Sequence, residues 1–311
     1  MAAAIGIDLG GTKIYGVRMK GDEIAAEAKV KTPVSGGPLA VVDAIAGVVK
    51  ELGGDSKMPI GVGAPGVIDT GAGVVKAAPN LHGWIEAFPL GPSLSDALDG
   101  ARVVVDNDVN VATLAEHRRG AGDGVDELLC VFVGTGVGGG LVLEGEMRRG
   151  PNGMAGEIGH IIVEPDGRLC GCGGHGHLEA YAGRAGMERR ARELEADGHD
   201  TLLVEIAKGK RMTSSVWGKA LAQGDAVAMQ LIDEAVAALG QGLAAVVTVL
   251  DLDLVVLGGG LTDRLGPSFV GRVEEATRSR LFGGASPLRV VAAGLGDGAG
   301  AVGAALLADG A

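Results

Sequence analysis

Short apolar runs alternate along the chain with longer segments in which apolar residues recur at helical spacing. The short runs predict strands over residues 3–9, 13–19, 59–68, 102–106, 128–133, 141–145, 254–257 and 288–294. The longer segments predict helices over residues 38–52, 109–119, 178–197, 213–222, 226–250, 268–281 and 299–308. Strands that alternate with helices in this way are typical of an α/β fold.

Two glycine-rich hairpins start roughly 125 residues apart, with the sequences IGIDLGGTKIYGV (5–17) and VFVGTGVGGGLVL (131–143). Each has an apolar strand, a turn with Gly and Thr, and a second apolar strand. This similarity indicates the duplication of one α/β unit. We therefore expect two domains, one of residues 1–112 closed by a C-terminal helix at 297–311, and one of residues 113–296.

The glycine turns are candidates for phosphate binding. The second, at 134–140, contains G-x-G-x-x-G, but the apolar run after it predicts a strand, whereas a dinucleotide fingerprint opens a helix. The first lacks the G-x-x-x-x-G-K-[ST] of a P-loop. Backbone N–H groups and Thr hydroxyls of two such turns can hold one phosphate chain, with Lys13 adding charge. Tight turns without a ligand are the alternative.

Composition narrows the function classes. The 311 residues are 47% hydrophobic, which argues against disorder, and a net charge of −12 argues against sequence-independent nucleic-acid binding. The first residues lack a basic segment, so we expect no signal peptide and a cytoplasmic protein. The apolar stretch 235–250 contains Gln241 and Thr248 and predicts a buried helix, with no membrane partner.

Two polar clusters carry candidate chemistry. Asp106-Asn107-Asp108 ends a predicted strand and opens a helix, where it is either a helix cap or the acid that accepts a proton in phosphoryl transfer. His160, Cys170, Cys172 and His177 are four ligands suited to structural Zn²⁺. Reduced surface thiols beside histidines are the alternative. Cys130 lies in an apolar strand and is expected in the core.

Seven motifs together resemble the ROK family of the actin-like sugar kinases, which contains bacterial hexokinases and sugar-responsive repressors. They are DLGGTK (8–13), GVGAPGVID (61–69), PNL (79–81), DNDVN (106–110), GTGVGGG (134–140), GEIGH (156–160) and CGCGGHGHLE (170–179). The resemblance implies two actin-like, ribonuclease H-like α/β domains with an active site in the cleft between them. It also implies ATP and Mg²⁺ as cofactors, and a homodimer or homotetramer.

The resemblance assigns roles to individual residues. It makes Asp108 the catalytic base. The implied sugar-binding residues are Gly66, Asn80, Asn107, Asp108, Glu157, His160 and Glu179. The implied nucleotide-binding residues are Asp8, Gly10, Gly11, Thr12, Lys13, Gly134, Thr135, Gly136, Gly258, Gly259 and Gly260. The last three form the loop on the adenosine side.

The zinc motif departs from the family pattern C-x-C-G-x-x-G-C-x-E, because His177 stands where the third Cys is expected. Histidine is also a zinc ligand, and His175 competes for the fourth place. His160 can serve twice, since one imidazole nitrogen can bind metal while the other bonds a sugar hydroxyl.

The sequence therefore predicts an ATP-dependent kinase that phosphorylates the 6-hydroxyl of a hexose, with glucose as the first choice. An N-acetylhexosamine such as N-acetylglucosamine or N-acetylmannosamine, or another hexose, is the alternative within this class. A sugar-sensing ROK regulator is the alternative of another class. It is disfavoured because the first hairpin starts within ten residues of Met1 and the chain is acidic.

Overall fold

The structure, a computed structural model, describes residues 3–78, 81–282 and 287–310. They group into two compact units, one from 1–124, 147–155 and 297–311, the other from 125–146 and 156–296. The predicted boundary at 112/113 falls inside the helix Asp108–Arg119. The structure keeps this helix whole in the first unit, because it packs against the C-terminal helix of the same unit.

The first unit is built around a five-stranded sheet. Its strands are β1 (Ala4–Leu9), β2 (Lys13–Lys20), β3 (Glu23–Lys31), β4 (Ile60–Ala64) and β7 (Val103–Asn107), with β5 (Val67–Asp69) and β6 (Val74–Ala77) forming a separate hairpin. Its helices are α1 (Gly37–Glu51), α2 (Leu90–Ala97), α3 (Asp108–Arg119) and α11 (Ala299–Asp309).

The second unit is also built around a five-stranded sheet. Its strands are β8 (Leu128–Val133), β9 (Val137–Leu143), β10 (Glu146–Arg148), β11 (Leu254–Gly258) and β12 (Arg289–Ala292). Its helices are α4 (Leu178–Ala182), α5 (Arg184–Ala196), α6 (Leu202–Ala207), α7 (Ser214–Ala222), α8 (Ala226–Leu250), α9 (Gly260–Leu265) and α10 (Pro267–Arg278).

The two sheets repeat one topology, as the similar hairpins predict. The first has the order β3-β2-β1-β4-β7 and the second has the order β10-β9-β8-β11-β12. In the first, β1 pairs antiparallel with β2 and parallel with β4, which in turn pairs parallel with β7. In the second, β8 pairs antiparallel with β9 and parallel with β11, and β11 pairs parallel with β12. In each sheet, an antiparallel hairpin is thus extended on one side by two parallel strands.

The apolar stretch predicted as a buried helix lies in α8, a core helix of the second unit. Its 25 residues are long and apolar enough by composition to cross a membrane. However, 13 of them are buried, including Leu231, Leu239 and Leu243, and α8 packs against α4 and α10. Burial inside the unit accounts for its apolar composition.

Two predicted segments differ in detail. The helix expected over 178–197 is broken at Gly183, whose extended backbone separates α4 from α5. The second glycine turn is shorter than 134–140, because strand β9 already begins at Val137, which pairs with Val133. Gly138, Gly139 and Gly140 are therefore strand residues.

Helices α3 and α11 pack with almost no space between their backbones. An added Cβ at Gly303 would lie 1.6 Å from the carbonyl oxygen of Val111, and one at Gly6 of β1 would lie 1.9 Å from that of Ala301. Neither neighbour is the flexible end of a side chain. The small residues of α11 are therefore what allows it to close onto the sheet and α3.

Gly303→Ala is expected to lower the free energy of unfolding by about 3 kcal/mol, because the new methyl group overpacks the contact with α3. Gly47→Ala in α1 is the matched control, since its Cβ would meet no described atom within 4 Å. Helix propensity should then raise the stability of the control by up to ~1 kcal/mol. Urea unfolding followed by circular dichroism measures both, and equal midpoints would contradict the close packing.

Candidate active site

The first glycine turn joins β1 to β2, and hydrogen bonds hold its base. The N–H of Gly10 donates to the carbonyl of Lys13 at 2.9 Å, and the hydroxyl of Thr32 donates to the carbonyl of Gly10 at 2.6 Å. Gly11 and Thr12 are exposed at the tip. The turn is therefore fixed at its base and open to a ligand at its tip.

Carboxylates surround this turn. Burial and the neighbouring Asp108 raise the pKa of Asp8 to about 6, with Asp297 adding to the shift and Lys13 opposing it. The Lys13 ammonium lies 3.1 Å from Asp297. Asp8, Asp108 and Asp297 together bring three carboxylates near Lys13, a donor set that fits Mg²⁺, which prefers oxygen ligands. Asp8 is the residue that would hold the ion.

Asn107 caps helix α3. Its Oδ1 accepts the N–H groups of Val109 at 2.8 Å and Asn110 at 3.2 Å, and its Nδ2 donates to the carbonyl of Gly66 at 3.0 Å. Gly66 has φ 96°, and a Cβ there would lie 1.9 Å from the carbonyl of Ala77. The helix-cap alternative is thus correct for Asn107, and Gly66 positions it through the backbone. Their contacts with sugar remain predictions.

Asp108 is the first residue of α3 and is half-buried. Its Oδ1 accepts the following N–H, that of Val109, at 3.0 Å. The side chain thus lies at the positive end of the helix dipole. Asp108 also lies close enough to Asp8, beside the first glycine turn, for its charge to raise the Asp8 pKa. The remaining sugar candidate of this region, Asn80, lies outside the described residues.

The second glycine turn, in the other unit, is held by a residue that the sequence did not reveal. The N–H of Gly134 donates to the carbonyl of Gly136 at 2.9 Å. Arg184, at the start of α5, donates to the carbonyl of Gly134 at 3.1 Å and to the hydroxyl of Thr135 at 3.3 Å. Burial and the nearby Arg211 lower the pKa of Arg184. Only the fold brings this cation to the turn.

The loop Gly258-Gly259-Gly260 lies where β11 ends and α9 begins. Gly259 has φ 89°, and a Cβ there would lie 2.7 Å from backbone atoms of Val133. This loop therefore packs on the last residue of β8, directly before the second glycine turn. That position is compatible with the predicted adenosine side of the site.

Glu179 connects the second glycine turn to the cysteine-rich insert. Its Oε2 accepts the N–H of Val137 at 3.0 Å, and its Oε1 lies 3.6 Å from the Sγ of Cys170. A Cβ at Gly136 would lie 2.1 Å from Oε2, so glycine is required there for the carboxylate to approach. Glu179 therefore does not only place a negative charge in the first turn of α4, but also contacts the second glycine turn and the cysteine-rich insert.

The four predicted zinc ligands lie together. One ligand atom from each of His160, Cys170, Cys172 and His177 lies within 4.8 Å of all the others. The Sγ of Cys172 is 3.2 Å from Nδ1 of His177. Burial raises the pKa of the Cys170 thiol to about 11, so a bound cation would be needed to ionise it at neutral pH. Two thiols and two imidazoles match a tetrahedral zinc shell.

His175 points elsewhere. Its Nδ1 lies 3.0 Å from the carbonyl of Gly167, and it is not part of the four-residue cluster. The geometry therefore favours His177 as the fourth ligand. His160 also lies beside Glu157, with 3.9 Å between Nε2 and the carboxylate, and both side chains are exposed. The cluster and two sugar candidates thus share one surface of the second unit.

Comparisons with known proteins extend over nearly the whole chain. The family model of the ROK family matches residues 4–311. A glucokinase of Streptomyces coelicolor is 37% identical and covers 99% of this chain and 98% of its own. An N-acetylmannosamine kinase of Escherichia coli is 32% identical and covers 98% of each chain. The crystal structure of a ROK family glucokinase from Streptomyces griseus in complex with glucose and AMPPNP is 36% identical, covers 100% of both chains and has a TM-score of 0.84.

Proposed function

Because this chain belongs to the ROK family and is a hexose kinase, we propose that it phosphorylates glucose at the 6-hydroxyl with ATP as the donor. Its two α/β units have the actin-like, ribonuclease H-like fold of that family. The observation that carries the proposal is the carboxylate of Asp108 at the start of α3, beside the braced first glycine turn.

Phosphoryl transfer requires positioning and charge compensation more than covalent chemistry. Asp108 accepts the proton of the sugar 6-hydroxyl while the hydroxyl oxygen bonds to the γ-phosphorus of ATP, the bond from that phosphorus to the β,γ-bridging oxygen breaks, and ADP leaves. Lys13 and the tip of the first turn bind phosphate oxygens, as do Thr135 and the N–H groups of the second turn. Asp8 would hold Mg²⁺, which would supply positive charge against the negative charge that develops on the phosphate oxygens.

Sugar recognition falls to amide, carboxylate and imidazole groups. Asn107, Glu157, His160 and Glu179 bond ring hydroxyls, and each hydroxyl left unpaired on burial costs ~1–3 kcal/mol. His160, Cys170, Cys172 and His177 would hold zinc, which would fix His160 and the start of α4, and hence Glu179. Four protein ligands would leave such a metal no open position, so it would serve structure and not catalysis.

N-acetylmannosamine is the second candidate acceptor. Kinases for this sugar from Escherichia coli are 32% identical to the chain. The residues proposed to bind sugar recognise ring hydroxyls that hexoses and N-acetylhexosamines share. They do not distinguish a 2-hydroxyl from a 2-acetamido group.

A substrate panel tests the proposal. The purified protein is assayed for ADP release with ATP and glucose, mannose, fructose, N-acetylglucosamine or N-acetylmannosamine. Glucose is expected to have the highest kcat/KM, with 6-deoxyglucose acting as a competitive inhibitor and not as a substrate. Phosphorus NMR of the product identifies the phosphorylated carbon. A higher kcat/KM for an N-acetylhexosamine, or phosphate on another carbon, would overturn the assignment.

A further inference from the structure

An ion pair between Arg149 and Asp106 lies at the end of β7, two residues before Asp108 in sequence. Arg149 belongs to residues 147–155, which group with the first unit although the residues on both sides group with the second. Its Nε donates to Oδ2 of Asp106 at 2.7 Å. The Asp106 side chain is 2% exposed, whereas that of Arg149 is 32% exposed. The guanidinium therefore compensates a carboxylate that is almost completely removed from water.

The other oxygen of Asp106 binds the start of α3. Oδ1 accepts the N–H of Asn107 at 2.7 Å and an Nδ2 hydrogen of Asn110 at 3.0 Å. These two residues flank Asp108 in sequence, and Asn107 is the cap of the helix. One carboxylate thus ties segment 147–155 to the turn from which Asp108 projects.

We propose that Arg149 and Asp106 are positioning residues for phosphoryl transfer. Arg149 holds the Asp106 carboxylate in place, and Asp106 fixes Asn107 and Asn110, which set the position of Asp108. Without the guanidinium, a buried carboxylate has lost its compensating charge and must move toward water or take up a proton. Either change removes an acceptor from the start of α3. The inference rests on the proposed role of Asp108 as the base.

Arg149→Gln is expected to lower kcat by about 10- to 100-fold, because a displacement of about 1 Å in a reacting group costs on that order. The KM for ATP should stay within about twofold, since the phosphate-binding turns are untouched. Arg149→Lys should restore only part of kcat, because an ammonium keeps the charge but lacks the planar Nε donor. Arg148→Gln, one residue earlier and exposed, is the matched control and should resemble the wild type.

A double-mutant cycle separates positioning from general loss of folding. If Arg149 acts through the charge of Asp106, the variant Arg149→Gln/Asp106→Asn should lose no more kcat than the worse single variant.

A chemical rescue is the second test. Millimolar guanidinium should raise the kcat of Arg149→Ala. The fraction of the protein that binds glucose should be the same in this variant as in the wild type. The inference would be overturned if the kcat losses of the two single variants multiplied in the double variant. It would also be overturned if kcat fell only in proportion to the fraction of protein that binds glucose. A near-normal kcat in Arg149→Gln would overturn it as well, whereas a wild-type protein that phosphorylates no hexose would overturn the proposed function itself.

Discussion

Asp108→Asn is expected to lower kcat by about 10²- to 10⁴-fold while glucose binding stays measurable. The substitution is isosteric, and the amide oxygen can still accept the N–H of Val109 that Oδ1 accepts at 3.0 Å. It removes the negative charge and the capacity to take a proton from the sugar hydroxyl. Steady-state kinetics with ATP and glucose give kcat and both KM values.

The control for this variant is Asp123→Asn, the same chemical change at an exposed position beyond α3. Its kcat should equal that of the wild type. If Asp108→Asn also keeps a turnover within about tenfold of the wild type, proton acceptance by Asp108 contributes less than general base catalysis normally does. Asp108 would then not be the base.

The architecture could be predicted because its signals are local. Apolar strands around the Gly/Thr turns at 10–12 and 134–136 lie within a few residues of each other, and hairpins form from such neighbours. The parallel strands β4, β7, β11 and β12 were visible as apolar runs between helical segments. The identical order of the two sheets then follows from the similarity of the two hairpins.

Other elements gave weaker signals. Strand β3 is largely exposed, and its sequence EIAAEAKVK alternates apolar with mostly charged positions, but it is made mainly of Ala, Glu and Lys, which have low strand propensity. It forms because β2 offers a partner edge. The break at Gly183 was missed because single glycines are tolerated in helices. In the structure, a Cβ there would lie 2.8 Å from the carbonyl oxygen of Glu179 and 3.1 Å from the Cα of Gly136.

The candidate site residues also divide into those with a local sequence signal and those without one. Sequence motifs pointed to Asp108 and to the four candidate metal ligands, since each motif lies in one short segment. Arg184 and Arg149 were missed because each acts across a long sequence separation, on Thr135 and on Asp106. Arginines in polar segments are usually solvated, and no local pattern distinguishes these two from the others.

His177 stands where the resemblance to the ROK family implies a third cysteine, so the zinc content of the protein directly tests the proposed ligand set. The wild type should contain one Zn²⁺ per chain, measured by elemental analysis of the purified protein. His177→Ala should lose the metal, because three ligands remain of a four-ligand structural shell. His175→Ala is the matched control and should keep it, because His175 bonds the carbonyl of Gly167 instead.

The loss of zinc should also reach the sugar site. The ion would hold His160 and Cys170 in the cluster, and Cys170 lies 3.6 Å from the carboxylate of Glu179. We therefore expect His177→Ala to raise the KM for glucose by about tenfold and to lower the melting temperature, with a smaller change in the KM for ATP. Stoichiometric zinc in His177→Ala, or its loss only in His175→Ala, would show that the ligand set is wrong. Zinc loss with an unchanged KM for glucose would instead show that the position of Glu179, which also accepts the N–H of Val137, does not depend on the metal.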